Sequence, residues 1–170
     1  FTPDCMPYYL SDKNVKLFTS HHVLTEAEMH SRYDIILENY CKVINIEALT
    51  MLEMAKRDIL PAVSGYAKEL TETALSKKQF MASASCAYEE AVIEKISSLS
   101  QCMFKKVQVL EDAIYEAKQI EDITEKAKAY REKVFTAMSE LRLVGDELET
   151  ITAAKYWPYP TYGDLLYSVR

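Results

Sequence analysis

The residues of this chain that could ligate a metal or move a proton are three histidines, four cysteines and 26 acidic side chains. His22 and His30 lie too far apart for the i, i+4 spacing that sets two imidazoles on one helix face. Convergence with His21 would need a loop, so these three read as solvated or helix-end histidines. Cys5, Cys41, Cys86 and Cys102 show no CxxC spacing, and read as free thiols of a reducing cytoplasm. A di-iron bundle needs inward glutamates and Glu-x-x-His motifs. Here Met29 follows Glu26 by three residues and Ser31 follows Glu28, so that motif does not occur. Glu26, Glu28, Glu89, Glu90, Glu147 and Glu149 read instead as a solvated acidic face. Three glycines cannot build a phosphate-cradling loop, and no Ser or Cys sits in a nucleophile elbow. The residues therefore predict no catalytic, cofactor or metal site in this stretch of sequence.

The elements around them are helical. With 3 Gly and 5 Pro in 170 residues, there are few of the turns that a sandwich or α/β fold requires. A net charge of −6 gives no basic face for nucleic acid or for an anionic membrane surface. No apolar run approaches the roughly 20 residues of a membrane span. The sequence opens Phe1-Thr2-Pro3-Asp4, without Met and without a basic-then-apolar leader, and so reads as processed or cut from something longer.

The pattern predicts an all-α fold over one domain, residues 1–170. Residues 1–24 form an extended lead-in and a short helix capped by Ser11, ending near His21. Thr25 and Glu28 make a capping box, with Leu24 and Met29 flanking it. From there apolar positions step by three or four to about Phe80, with a kink or break at Pro61 and a weak point at Gly65. Ser83 or Ser85 caps the next helix, which runs to a break near Gln119–Asp122. Asp122 and Glu125 open the third, which contains Gly145 and stops before Pro158. Residues 25–155 are expected to pack as an antiparallel three-helix bundle. At ~1.5 Å per residue the first helix would overhang the other two, leaving a stripe around Tyr33, Leu37 and Tyr40 for a partner. Residues 156–170 form an extended aromatic tail. Its Tyr156, Trp157, Tyr159 and Tyr162 are candidate interface anchors, because such rings bury much area and keep a polar tip satisfied.

Two stretches carry a family resemblance. One is Leu37-Glu38-Asn39-Tyr40-Cys41-Lys42 with Ile46-Glu47-Ala48-Leu49-Thr50-Met51, then Asp58-Ile59-Leu60-Pro61-Ala62-Val63. The other is Asp146-Glu147-Leu148-Glu149-Thr150 followed by Tyr156-Trp157-Pro158-Tyr159-Pro160-Thr161-Tyr162-Gly163-Asp164-Leu165-Leu166. Together they resemble the C-terminal region of type III glutamine synthetases, from about Asn14 onward. The resemblance implies a parent enzyme that joins ammonia to glutamate using ATP and a divalent metal, Mg or Mn. It implies a cytoplasmic double-ring homo-oligomer, with this region touching the catalytic domain of its own chain and neighbouring subunits. The family's catalytic, ATP and metal motifs lie upstream, and none of them occurs here, so no catalytic residue is carried over. The alternative reading is a free-standing helical module that binds partners through a bundle face.

Overall fold

The computed structural model describes residues 1–167, so the last three residues of the expected tail lie outside the described residues. All regular structure among the described residues is helical. The helices are α1 (Thr2–Tyr9), α2 (Asp12–Ser20), α3 (Glu26–Glu53), α4 (Leu60–Phe80), α5 (Ala87–Gln119), α6 (Ile123–Ala129), α7 (Phe135–Ile151) and α8 (Tyr162–Tyr167). The chain forms two compact units, one of residues 1–50 and 109–139, the other of residues 51–108 and 140–170.

In the first unit, α1 replaces the expected extended lead-in. Pro3 suits a first turn, where its missing N–H has no intrahelical partner. Pro7 lies inside the helix and removes one more donor. Tertiary contacts outweigh that loss. Pro3 and Met6 are buried, and the Phe1 ring meets Phe135 edge-on with centroids 5.5 Å apart. The Arg131 guanidinium lies over Phe1 and pairs with Asp4. Ser11 has the extended backbone of a cap, but its hydroxyl donates to the Tyr8 carbonyl at 2.8 Å rather than receiving an N–H. The Thr25–Glu28 box opens α3 as expected. The Thr25 N–H donates to Glu28 Oε2 at 2.7 Å and the Glu28 N–H donates to Thr25 Oγ1 at 3.2 Å. Asp122 opens α6 by accepting the Glu125 N–H at 2.9 Å. Leu37, Cys41, Ile44 and Ala48 of α3 are buried here, together with Leu110, Ala127 and Val134. Across the unit, Tyr33 and Thr124 share a hydrogen bond of 3.0 Å, and Tyr130 donates to Asn45 at 3.3 Å.

In the second unit the backbone stays helical through Pro61, so of the expected kink or break there is no break. Residues Met54–Ile59 form a π-helical turn, in which the Leu60 N–H reaches back to Ala55. Proline cannot donate to the carbonyl four residues back, and its ring presses on that carbonyl in an α-helix. Widening the preceding turn relieves the clash without ending the helix. The inward face passes through unbroken, with Leu52, Ala55, Ile59, Val63, Tyr66 and Leu70 all buried. After Phe80 the connection places Ser85 two residues before the first residue of α5, where its hydroxyl accepts the Ala87 N–H at 3.4 Å. Lys77 of α4 and Glu89 of α5 pair across this turn.

Candidate functional site

The sequence motif 156–167 builds the most elaborate surface of the second unit. The chain leaves α7 through Thr152, whose buried hydroxyl donates to the Leu148 carbonyl at 2.7 Å. The Ala153 carbonyl then accepts from the N–H groups of Tyr156 and Trp157 and folds the tail back. Tyr156 lies against α4: its ring meets Tyr66 with centroids 5.6 Å apart, and its hydroxyl donates to Glu69 Oε2 at 2.7 Å. Lys155 donates to the same carboxylate and stacks over the Tyr156 ring. These two donors, Lys155 first, hold the Glu69 carboxyl below its ordinary range. Gly65 makes room for the tyrosine, since a Cβ there would lie 3.3 Å from Tyr156 Cε1. The weak point in the helix is thus the seat of a tail residue.

Tyr159 donates to Asp58 Oδ2 at 2.8 Å, and burial together with that bond pushes its hydroxyl up to about 12. It is a fixed neutral donor at physiological pH and no base. Trp157 stands edge-on to it, with centroids 6.3 Å apart. The tail is not extended to its end. Thr161 and Asp164 form a second capping box, with the Thr161 N–H on Asp164 Oδ2 at 2.8 Å, and start α8. These residues close one side of a recess of about 700 Å³. Met51, Met54, Ile59 and Met103 give it an apolar floor, and Arg142, Asp146 and Glu149 stand at its polar edge. Its size and lining suit an apolar body rather than a reacting group.

The other expected residues lie in the first unit. Leu37 is only 1% exposed and belongs to that unit's own core. Tyr33 is half-buried and bonded to Thr124. The Tyr40 hydroxyl is buried with no partner among the described residues, and burial raises its pKa. Burial likewise raises the Cys41 thiol, which leaves it less reactive than an ordinary cysteine. The structure therefore sets Trp157, Tyr159 and Tyr162 on the recess and Tyr156 against α4. Tyr33, Leu37 and Tyr40 line the inward side of α3 instead of an open stripe. The open side of α3 carries Ile35, Ile36, Val43, Ile46 and Leu49, which the stripe reading passed over. Counting apolar residues on both sides of this helix would have found them.

The acidic residues divide as well. Glu89 is buried and paired with Lys77, a correction to its reading as part of a solvated face. Glu28 is a cap, and Glu147 pairs with Lys95 at 2.9 Å. His21, His22 and His30 are exposed. Among the described residues no three His, Cys, Asp or Glu side chains converge as a metal ion would require. No described helix is long and apolar enough to cross a membrane.

Comparison with known proteins gives this helical surface its context. A family model described as the glutamine synthetase C-terminal domain matches residues 1–78. A glutamine synthetase of Butyrivibrio fibrisolvens is 40% identical over 168 residues, covering 99% of this chain and 24% of that protein. A type-3 glutamine synthetase of Dictyostelium discoideum is 28% identical, covering 98% of this chain and 23% of that protein. A glutamine synthetase of Bacteroides fragilis is 25% identical, with 98% of this chain and 23% of that protein covered. The chain spans about a quarter of the length of the curated relatives it matches. By class, then, this is an all-helical chain similar to one helical part of glutamine synthetases. Residues 1–78 match the glutamine synthetase C-terminal domain model, and over nearly its whole length the chain is similar to glutamine synthetases, a type-3 enzyme among them.

Proposed function

We propose that this chain is the accessory, structural C-terminal domain of an enzyme that ligates ammonia to glutamate with ATP and a divalent metal, Mg or Mn. The observation that carries the reading is similarity over 99% of the chain to a glutamine synthetase of which it covers 24%. In this reading the nucleotide and metal bind the remainder of the parent chain, and these helices support that body. The partners are the catalytic domain of the same chain and neighbouring subunits of a cytoplasmic double-ring homo-oligomer. The helical runs reverse through short connections after Phe80 and Gln119, which supports one domain built as an antiparallel bundle of three long helices. Tyr156 fastens the tail to α4, while Trp157, Tyr159 and Tyr162 line the recess and present the outermost ring, Tyr162, which is 85% exposed, to a neighbouring subunit.

The test is the full-length parent enzyme with and without residues 156–170. Truncation is expected to weaken subunit assembly, read by sedimentation, and to lower glutamine formation with it. Unchanged assembly together with unchanged activity would sink the role given to the tail. A full-length parent that forms no glutamine from glutamate, ammonia and ATP would sink the whole reading.

A further inference from the structure

We infer that the outward face of α3, made by Ile35, Ile36, Val43, Ile46 and Leu49, is the surface on which the catalytic body of the parent chain docks. The inference rests on the reading of this chain as one part of a glutamine synthetase.

A helix of a soluble unit ordinarily shows one apolar stripe and one polar face. The inward face of α3 is already occupied, with Met29, Leu37, Cys41, Ile44 and Ala48 buried. The opposite face should then be polar throughout, yet five aliphatics share it with Arg32, Asn39, Lys42 and Thr50. Ile35 and Ile46 fall near its centre, eleven positions and so about three turns apart, with Ile36, Val43 and Leu49 flanking them. All five are exposed, Ile46 by 62%. A helix that is apolar on both sides is one meant for burial on both sides. Scattered exposed aliphatics are ordinary, but here five share one face over about four turns, Ile35 and Ile36 at one end and Val43, Ile46 and Leu49 at the other, with Asn39 and Lys42 between them.

The occupant follows from two observations. The relatives extend this chain about fourfold, so a large body of the same polypeptide remains to be placed. A second copy of this chain is disfavoured by charge. The stripe from Ile35 to Leu49 has its midpoint at Lys42, which is exposed and held by Glu38 of its own helix at 2.9 Å. Two copies paired antiparallel about that midpoint would set Lys42 against Lys42. A different surface can meet the aliphatics without setting a second lysine there.

Ile46→Cys tests this by thiol labelling, read peptide by peptide so that the four native cysteines are resolved. In the 170-residue chain the new thiol should react at the rate of an exposed cysteine. In the full-length parent it should react about tenfold more slowly or less, because labelling then requires local opening. Equal rates in the two would overturn the inference, and glutamine formation by the same full-length protein shows separately whether the underlying reading holds. Protection that arises in the 170-residue chain alone as its concentration rises would overturn it in favour of a second copy. As a further check, Ile35→Glu with Ile46→Glu should leave the helicity of the 170-residue chain unchanged and weaken assembly of the full-length enzyme. Intact assembly would overturn the inference.

Discussion

A Cβ placed on Gly145 would meet Met103 Cε at 3.5 Å, an ordinary van der Waals distance, whereas one on Gly65 would lie 3.3 Å from the Tyr156 ring. Both glycines sit inside helices, where alanine is favoured by about 1 kcal/mol. Gly145→Ala is therefore expected to raise Tm by roughly 2–4 °C. Gly65→Ala should give less, because the aromatic ring must shift to admit the methyl group. Thermal melts of the two variants side by side check the contrast. Glu89 gives a pH-dependent expectation. The hydrogen bond from Lys77 holds its carboxyl below the ordinary 4.5, against the opposing effect of burial. A depressed folded value means that its contribution is present above the ordinary carboxylate range and is lost as pH falls through the folded value. Lys77 is shifted up by the same bond, so its share persists below the ordinary 10.5 and is lost as pH rises through the elevated value. Glu89→Gln should thus destabilise the chain at neutral pH and approach the unsubstituted chain's stability at acid pH, once the depressed folded value has been passed. A deficit of equal size at both pH values would show that charge is not what Glu89 contributes.

At the level of elements, the helix starts were the most legible features. Thr25 with Glu28, and Asp122 with Glu125, announce capping boxes by residue type and spacing alone; the first makes both its bonds, while at the second Asp122 accepts the Glu125 N–H and the Glu125 carboxylate accepts from Lys128. Asp122→Ala should cost about 1 kcal/mol, and Ser11→Ala only a fraction of that, since Ser11 makes no capping bond. Chemical denaturation midpoints of the two variants test the difference. What was not legible depended on distant partners. The first ten residues look extended because two prolines dominate their local preference. They are helical because Arg131 and Phe135, far along the chain, hold Phe1 and Asp4. Pro61 marks a disturbance in any reading, but residue type does not say that the helix answers by widening a turn and not by ending. The candidate surface divided in the same way. The aromatic density of 156–162 stands out in sequence, and Trp157, Tyr159 and Tyr162 do line one recess. Periodicity along α3 found a buried side, because a helix with two apolar sides offers two registers and the inward one was chosen.

For the molecule as a whole, the relatives are about four times longer, and the proposed function makes these helices a support for chemistry carried elsewhere in such a chain. The tail truncation and the Ile46 labelling examine that support at two different surfaces, one in each compact unit. The position of Trp157 also has an optical consequence. It is the chain's single tryptophan, and it lies in the unit formed by residues 51–108 and 140–170. Indole emission therefore witnesses the melting or loading of that unit alone, while far-ultraviolet dichroism averages over the helices of both. Coincident curves from the two probes would report one cooperative transition, and separated curves would report two. The recess that Trp157 lines thus carries its own built-in lamp, and the other unit stays dark.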